Sequence, residues 1–395
     1  MKRTEFREQI TALDVWDTHT HLIAGELAAA DFWDIGHYFW YLRELKAAGY
    51  PSNAGDLPEK QRAEAYADAF AATRNTSMHW VVCEIFRNLY DLEITDADSI
   101  LLANEAVKAS ASDSDWPVQV LDRLGIRRIV VNIPEHAPFE AAPGVSCVLP
   151  RIDGDVKSWI QALMEADDPA AAGEDIRHQA LHHASNIAAS RFTGLMTSFG
   201  GPCAPTAEIP DLTKPVSHGQ ACAFVLDAVC RAAESNGLFV QFFIGMEQGF
   251  SSQITAHSRV DRIQCLHGLF ERFDCEFDLV LASNLNNMDA VQAARMFTNV
   301  HVGGLWWFNF RESSYADIMQ YRIEALPACK SSLIASDARC VEWCYGKIWL
   351  VKRLLADFLY DRIERGLLDE DDALWVARQW LYDAPKQLFE PQTGD

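Results

Sequence analysis

Two histidines one residue apart are the first residues of this sequence whose types and spacing could do chemistry. They lie in DVWDTHTHL, residues 14–22, which otherwise has the composition of a buried β-strand. Side chains two residues apart in a strand point to the same face, so Asp17, His19 and His21 share one side. Two imidazoles at a fixed separation supply the neutral nitrogen ligands that a divalent metal ion needs. By itself the pair is equally compatible with two ordinary polar residues of a strand.

The second candidate is the run SDAR, residues 336–339, at the end of another apparent strand. Asp337 and Arg339 have the same parity, so both side chains can face the same side. If this strand is the last one of a closed barrel, it lies next to the first, and the Asp337 carboxylate can complete a metal site and move a proton. The alternative is that Asp337 caps the helix that follows, which is a common role for Asp after a strand.

Two arginines are candidates for holding an acidic substrate. Arg151 ends the apparent strand VSCVLPR, and Arg339 ends SLIASDAR. A guanidinium group donates two parallel hydrogen bonds to a carboxylate or a phosphate, which suits it to bind an anion inside an otherwise acidic protein. For Arg151, an ion pair with Asp153 is an equally good explanation.

The segment GGLWWFNF, residues 303–310, places aromatic side chains at the end of a further apparent strand. Trp306 and Trp307 are adjacent and point to opposite faces, so one of them should face the substrate site, and both are candidates for substrate binding. The preceding Gly303 and Gly304 indicate that another stretch of backbone approaches closely at this point.

Positioning these residues requires a scaffold, and the pattern of apolar runs predicts one. Eight short β-branched and apolar runs alternate with helical stretches, which is typical of βα units with a parallel sheet. The runs cover residues 15–21, 127–132, 145–151, 192–198, 238–244, 277–283, 299–308 and 332–339. Eight is the strand count of a closed barrel, so the predicted fold class is α/β, a TIM-type (β/α)8 barrel that forms a single domain over residues 1–395.

The gap between the first two runs is unusually long. Residues 23–126 contain amphipathic stretches and no strong strand signal, which predicts a helical insertion beside the barrel mouth. This insertion contains His37 and Tyr38 in IGHYFWYLR. Packing of an aromatic-rich helix against the barrel is the simpler interpretation of these two residues, unless something ties them to the mouth.

Composition limits the partners of the protein. The 395 residues include 34 Lys and Arg against 56 Asp and Glu, a net charge of -22, so we expect neither a nucleic-acid nor an anionic membrane partner. The ten cysteines form no CxxC pair, which predicts reduced thiols in the cytoplasm. No segment approaches the roughly 20 apolar residues of a membrane span, and no apolar stretch follows the charged start MKRTEFREQI, so we expect no signal peptide. We expect a cytoplasmic homo-oligomer that acts on a small-molecule carboxylate.

Taken in order, these segments resemble the uronate (glucuronate) isomerase family of the amidohydrolase superfamily. The resemblance spans residues 14–390 and rests on DTHTHL, IGHYFWYLR, NTSMHWVVCEIFR, VLPRID, VHVGGLWWFNF, ASDARCVEWCYGKIWLVKRLLADFL and WLYDAPKQLF. It implies a distorted (β/α)8 barrel with one divalent metal ion, Zn²⁺ in most cases, with Mn²⁺ and Co²⁺ as alternatives. It also implies that the metal ligands are His19, His21 and Asp337.

The resemblance further implies how the site would work. Enzymes of this family interconvert an aldose uronate and its ketose isomer, which requires moving a proton between neighbouring carbons and stabilising an enediol. Asp337 would act as base and acid, with Tyr38 or its neighbour His37 assisting. Arg151 and Arg339 would hold the carboxylate of the substrate.

Three departures from the family pattern change what we expect of the substrate. The fifth apparent strand ends in FFIG, with Phe243 where the family usually has a histidine, and the fourth ends in MTSFGG without an acid or imidazole. The first loop has YFWY, residues 38–41, where the family has a Lys and an Arg. Burying sugar hydroxyls against such apolar groups would cost affinity, so we expect a substrate less polar than a hexuronate.

Two other functions stay open on this sequence. One is a metal-dependent hydrolase or lyase of the same superfamily, for example a decarboxylase, acting on a carboxylated and aromatic substrate; Phe243 and the two tryptophans favour it. The other is a non-catalytic barrel in which His19 and His21 are core residues.

Overall fold

The computed structural model describes residues 2–23, 25–133, 144–198, 203–244, 246–247, 255–256, 261–282, 284–306 and 310–390. Trp307 lies outside these ranges. The strands are β1 Val15–Thr20, β2 Ile126–Val131, β3 Ser146–Val148, β4 Gly194–Ser198, β5 Phe239–Ile244, β6 Met246–Glu247, β7 Thr255–Ala256, β8 Phe277–Leu281 and β9 Val300–Leu305. Among them, β6 and β7 form a short antiparallel pair.

Helices cover most of the remaining described chain. They are α1 Arg3–Ala12, α2 Phe32–Gly36, α3 Phe39–Ala47, α4 Glu59–Ala72, α5 Ser77–Tyr90, α6 Ala97–Ala111, α7 Trp116–Asp122, α8 Asp153–Glu165, α9 Pro169–Ala189, α10 His218–Ser235, α11 His267–Arg272, α12 Asn287–Met296, α13 Glu312–Ala325, α14 Val341–Glu364, α15 Glu370–Arg378 and α16 Ala384–Phe389. None of the described helices combines the length and the apolar composition needed to cross a bilayer.

The other seven strands form two parallel ladders. One ladder has the order β1-β2-β3 and the other β4-β5-β8-β9. Every residue of β1, β5 and β8 is buried, as expected for parallel strands that helices cover on one side and lumen side chains fill on the other. Comparison of the bounds shows that seven of the eight predicted strand runs coincide with observed strands.

The two ladders meet at a narrow seam beside Arg151. A single parallel pair joins Arg151 to Met196 of β4. Two backbone hydrogen bonds support it, from Met196 N to Pro150 O at 2.8 Å and from Ile152 N to Met196 O at 2.9 Å. This seam connects the end of the third predicted strand run to β4.

On the opposite side, residues 331–338 close the ring. Parallel pairs connect this segment to β9 on one side and to β1 on the other, at Val302↔Ser331, Leu305↔Ile334 and Thr20↔Ala338. With this segment in the eighth position, the strands form a closed ring, in agreement with the predicted (β/α)8 barrel. The close approach predicted from the glycines is confirmed, because a Cβ on Gly304 would lie only 2.7 Å from Ala335 N.

The eighth position is not the regular strand that the sequence predicts. Asp337 has φ +56°, in the left-handed region, so the alternation of side chains breaks there. A non-glycine residue in this region costs on the order of 1 kcal/mol or more and is found where surrounding contacts enforce it. Here Asp337 N donates to His19 O at 2.9 Å. The cap alternative for Asp337 is wrong, because α14 begins at Val341 and its N-cap residue is Cys340.

Helices α2 to α7 lie between β1 and β2 and are fixed to the barrel through α14. The buried carboxylate of Glu342, in the first turn of α14, accepts three hydrogen bonds from this region. They come from Ala29 N at 3.0 Å, Tyr90 OH at 3.0 Å and Trp116 Nε1 at 2.9 Å. Because Glu342 follows Asp337 by only five residues, this anchor holds the helices of the segment beside the mouth of the barrel.

The lumen below the mouth holds a buried carboxylate with few groups that stabilise its charge. Asp278 of β8 is 2% exposed and accepts a hydrogen bond from Gln241 Nε2 at 2.9 Å. Burial raises the pKa of Asp278 to about 6. The folded protein therefore binds this proton more tightly than the unfolded chain, and stability is lost as the pH rises from about 4 to about 6.

We expect Asp278→Asn to stabilise the protein at pH 8 by about 1–3 kcal/mol and to have little effect at pH 4, because the amide removes a buried charge that exists only at the higher pH. Denaturant unfolding at the two pH values measures this difference. Asp274→Asn, at an exposed carboxylate just before β8, is the control. An equal change in the unfolding free energy at both pH values would contradict the interpretation.

Candidate metal centre and active site

His19, His21 and Asp337 come together at the mouth of the barrel. The Nε2 atoms of the two histidines lie 3.3 Å apart, and Asp337 Oδ1 lies 3.4 Å from His19 Nε2 and 3.0 Å from His21 Nε2. His19 and Asp337 are buried, and the side chain of His21 is 26% exposed. Among the described residues, this is the group of His, Cys, Asp and Glu side chains whose ligand atoms could hold a metal ion.

The first and eighth positions of the barrel place these three side chains. The HxH spacing predicts that His19 and His21 lie on the same side of β1. The short distance between their two Nε2 atoms agrees with this prediction. Asp17 ties the two segments together, since its Oδ1 accepts hydrogen bonds from Ser336 N at 2.9 Å and His19 N at 3.4 Å. The left-handed backbone at Asp337 then turns its carboxylate toward the imidazoles.

The distances between the ligand atoms fit a divalent ion. Ligands bonded at about 2.0–2.1 Å to a tetrahedral ion lie about 3.3–3.4 Å apart, and neighbouring ligands of an octahedral ion lie about 3.0 Å apart. The protonation states fit as well. Burial lowers the pKa of His19 to about 3, so its imidazole is neutral. Burial would raise the pKa of Asp337, but hydrogen bonds to His19 and His21 hold it well below its usual range, so the carboxylate is ionised.

The second oxygen of Asp337 is held by two aromatic residues at the start of α3. Trp40 Nε1 donates to Oδ2 at 2.9 Å. Tyr38 OH lies 2.9 Å from the backbone oxygen of Asp337 and 3.3 Å from Oδ2. Burial, together with the negative charge of Asp337, raises the pKa of Tyr38 well above its ordinary value, so the hydroxyl keeps its proton. Oδ1 therefore faces the imidazoles while Oδ2 faces hydrogen-bond donors.

Arg151 lies at the seam between the ladders, with one edge bound and the other facing the site. Its Nε and Nη2 donate to the two oxygens of Asp153 at 3.1 and 3.0 Å, so the ion pair considered from the sequence is present. Its Nη1 lies 3.5 Å from His21 Nδ1. Asp153 thus fixes the guanidinium group so that its remaining edge points toward the metal ligands.

Arg339 is the freer of the two arginines. It is exposed, and it lines the same cavity as the candidate metal ligands. It makes no hydrogen bond or ion pair with the residues that the structure describes. Its five N–H donors are therefore available for an acidic ligand.

The three metal-binding candidates open into a cavity of about 280 Å³. Its polar lining includes Arg151, Arg339 and Ser198, and its apolar wall consists of Phe39, Trp40, Met196, Phe243 and Trp306. Three larger surface grooves, of about 690, 760 and 400 Å³, contain none of the metal-binding candidates. The smaller cavity is therefore the candidate active site.

This chain is similar in sequence to uronate isomerases. No family model matches this chain. A uronate isomerase from Xanthomonas campestris pv. campestris (strain 8004) is 22% identical over 404 residues, covering 88% of this chain and 84% of the relative. A uronate isomerase from Thermotoga maritima is 26% identical over 96 residues, which is 24% of this chain and 21% of the relative.

Solved structures extend the likeness to nearly the whole chain. The uronate isomerase from Thermotoga maritima superimposes with a TM-score of 0.78 at 14% identity, covering 98% of this chain and 97% of the other. The glucuronate isomerase from Caulobacter crescentus gives a TM-score of 0.78 at 14% identity, covering 99% and 95%. This chain has the uronate isomerase fold. A putative metal-dependent hydrolase from Lactobacillus casei ATCC 334 shares it less closely, with a TM-score of 0.64 at 11% identity and 97% of each chain covered.

Phe243 is where this example of the uronate isomerase fold departs most from the pattern expected at the site. Its ring centroid lies 4.0 Å from that of His19 and 4.9 Å from that of Trp306. Among the described residues, no hydrogen-bond partner is present for His19 Nδ1, although metal-bound histidines usually donate this proton to an acceptor. His19 is therefore oriented by aromatic packing and by Asp337.

His37 does not reach the cavity, in contrast to the assisting role considered for it. Its Nε2 lies 2.8 Å from Tyr50 OH, and its Nδ1 lies 3.0 Å from Arg62 Nη2. Both ring nitrogens are thus occupied inside the helical segment, and burial lowers the pKa of His37 to about 4. Of the two adjacent residues, the geometry places Tyr38 at Asp337.

Sequence reasoning missed two residues near Asp337. Trp40 contacts Asp337 directly, and the run YFWY that departs from the family pattern was the signal for it. Lys347 of α14 is fully buried and donates to Tyr38 OH at 2.6 Å. A lysine among the apolar and aromatic residues of WCYGKIWL was the signal for a buried cation.

We expect Asp337→Asn and His19→Ala to weaken the binding of Zn²⁺ by more than the about 10–100-fold that loss of an outer-shell partner costs, because the first removes the charge of a candidate ligand and the second removes a candidate ligand altogether. Isothermal titration with Zn²⁺ on metal-stripped protein measures the affinity. His182→Ala, at an exposed histidine of α9, should leave it unchanged. Equal affinities for all four proteins would show that the metal binds elsewhere.

Proposed function

We propose that this chain is a metal-dependent isomerase that interconverts the aldose and ketose forms of a sugar acid, a uronate or a related hydroxy acid. The observation that carries the proposal is the group of His19, His21 and Asp337 in one cavity with Arg339, at the mouth of a barrel with the uronate isomerase fold. The sequence likeness to uronate isomerases over 88% of the chain supports it.

Proton transfer falls to Asp337 in this proposal. The open-chain sugar acid must lose a proton from the carbon next to its carbonyl and regain one on the carbonyl carbon, while the hydroxyl proton passes from one of the two oxygens to the other. The ionised Asp337 accepts that proton and returns it, so no net charge or proton is lost. Tyr38, which keeps its hydroxyl proton, donates it to Asp337, and Trp40 holds Oδ2 of the carboxylate in place.

We propose Zn²⁺ as the ion held by His19, His21 and Asp337, with Mn²⁺ and Co²⁺ as alternatives. Two imidazoles and one carboxylate form a ligand set typical of zinc, and three protein ligands leave a position for substrate. When bound, a divalent ion polarises a substrate oxygen and stabilises negative charge on it. Iron(II) also accepts such ligand sets, so the identity of the ion rests on metal analysis.

The cavity favours a compact substrate with one carboxylate. Arg339 offers a complete fork for that carboxylate, and Arg151 offers the one edge that Asp153 leaves free. The wall formed by Met196, Phe243 and Trp306 offers little to the remaining hydroxyls of a hexuronate. These contacts support a less polar acid as the preferred substrate.

The alternative function is that of a metal-dependent hydrolase or lyase, such as a decarboxylase. The observation that favours it is the stack of His19, Phe243 and Trp306, which forms an aromatic wall next to the metal ligands. Such a wall would pack against an aromatic carboxylate. This function would use the same metal ligands and the same arginines.

We also propose that residues 1–395 act as one catalytic domain, because the helical segment 23–126 supplies Tyr38 and Trp40 to the site. Ten free cysteines support a reducing, cytoplasmic location. The homo-oligomeric state stays a prediction from the sequence.

We expect the Zn²⁺-loaded protein to convert D-glucuronate or D-galacturonate to its ketose, and Asp337→Asn to lower kcat by at least about 100-fold, as loss of a general acid-base group does. Proton NMR of the reaction mixture, run in parallel with N-acyl amino acids and hydroxybenzoates, measures this. Hydrolysis or CO₂ release without any ketose from the two uronates would instead support the hydrolase or lyase.

We expect Arg339→Lys to raise KM for the carboxylate substrate by roughly 10-fold with a smaller effect on kcat, because an ammonium cannot reproduce the two parallel hydrogen bonds of a guanidinium group. Steady-state kinetics separates the two constants. Arg353→Lys, at an exposed arginine of α14 outside the cavity, is the matched control. An unchanged KM in the Arg339 variant would rule out its role as the carboxylate ligand.

A further inference from the structure

Lys347 of α14 is a buried cation next to the site that none of the proposed chemical steps uses. Its side chain is fully buried, and its Nζ donates to Tyr38 OH at 2.6 Å and to the backbone oxygen of Ser336. The ammonium also lies over the rings of Tyr38 and Phe310, 4.2 and 4.7 Å from their centroids. It does not line the cavity, so it does not touch a ligand there.

The contact between Lys347 and Tyr38 determines where the phenolic proton points. A phenol has one proton to donate, and Lys347 has only protons to offer, so the hydroxyl oxygen must accept from Lys347. The proton of Tyr38 is then directed to Asp337, whose backbone oxygen and Oδ2 lie at 2.9 and 3.3 Å. Without the ammonium, the same hydroxyl could accept a hydrogen bond instead of donating one.

Lys347 also holds the backbone from which Asp337 projects. The carbonyl of Ser336 immediately precedes Asp337, whose φ of +56° is the left-handed conformation described above. One ammonium group therefore restrains both partners of the Tyr38 to Asp337 contact, the hydroxyl on one side and the peptide on the other. Burying an ammonium is costly unless it is hydrogen-bonded or paired, and both of its observed bonds go to groups that hold Asp337.

We propose that Lys347 is a positioning residue that keeps the Tyr38 hydroxyl donating to Asp337, so that Asp337 Oδ1 stays directed at the two imidazoles. The inference rests on the proposed metal site but not on the isomerase activity. Lys347 acts through Tyr38 and Ser336. Its loss should therefore lower the affinity for the metal ion and make the geometry of the metal ligands less ordered.

The chain provides a matched control five residues further along the same helix. Lys352 is also buried, and its Nζ donates to the backbone oxygens of Thr11, Leu13 and Leu124 at 2.8, 2.5 and 2.7 Å. These carbonyls precede β1 and β2, at the end of the barrel opposite the metal ligands. Lys347 thus holds backbone at the end of the barrel where the metal-binding candidates lie, and Lys352 holds backbone at the opposite end.

The test compares Lys347→Met, Lys352→Met, Tyr38→Phe and the Lys347→Met/Tyr38→Phe double variant in the full chain. Affinity for Zn²⁺ is measured by titration, and the visible absorption of bound Co²⁺ reports the geometry of its ligands. We expect Lys347→Met to weaken Zn²⁺ binding by about 10–100-fold and to change the Co²⁺ spectrum, as loss of an outer-shell partner does.

The double variant distinguishes positioning from general destabilisation. If Lys347 acts through Tyr38, the double variant should bind Zn²⁺ no more weakly than the weaker of the two single variants, since coupled residues are not additive. Lys352→Met should lower Tm while leaving the Zn²⁺ affinity within about 2-fold and the Co²⁺ spectrum unchanged.

Four results would overturn the inference. They are an unchanged affinity in Lys347→Met, additive losses in the double variant, an equal loss in Lys352→Met, and wild-type protein that binds neither ion. If Lys347→Met does not fold, Tyr38→Phe must still weaken Zn²⁺ binding and change the Co²⁺ spectrum, and failure to do so is equally decisive. Because no substrate is used, a missing isomerase activity leaves these readouts intact and is recognised separately.

Discussion

The site depends on one interaction, the division of the Asp337 carboxylate between two kinds of partner. Its Oδ1 lies 3.0–3.4 Å from the imidazoles of His19 and His21, and its Oδ2 accepts from Trp40 at 2.9 Å and faces Tyr38. A buried carboxylate without such partners would take up a proton rather than stay charged. The closure of the barrel, the left-handed turn at Asp337 and the docking of α3 all serve to bring these partners together.

This division also explains why a helical segment is needed beside the barrel. The first and eighth positions of the ring can present imidazoles and a carboxylate, but their own backbone offers no donor to the far oxygen of that carboxylate. Tyr38 and Trp40 provide it from the segment between β1 and β2, and the anchor at Glu342 fixes that segment to α14. Removing the segment would therefore leave Asp337 exposed on one side and without its aromatic donors.

Much of the fold and the metal site could be predicted from the sequence, because both depend on regular periodicity. The spacing of two in HxH places His19 and His21 on one face, and counting eight strands places Asp337 beside them. The eighth strand itself was wrong in detail, since a left-handed residue within it has no signature in an alternating pattern. Contacts between distant segments were also beyond reach. His37 bonds to Tyr50 and Arg62, and Trp40 and Lys347 lie near Asp337. These contacts depend on how the helices dock, which the periodicity along one chain does not specify.

The two seams of the barrel have a mechanical consequence for the site. The ring consists of a three-stranded and a four-stranded ladder, and each ladder is continuous within itself. Among the described residues, the ladders join at Arg151 on one side and through residues 331–338 on the other. The candidate carboxylate-binding Arg151 and the candidate metal ligand Asp337 thus lie at the two seams of the sheet. The span between Arg151 and Asp337 across the mouth is therefore set at these two seams and not within either continuous ladder.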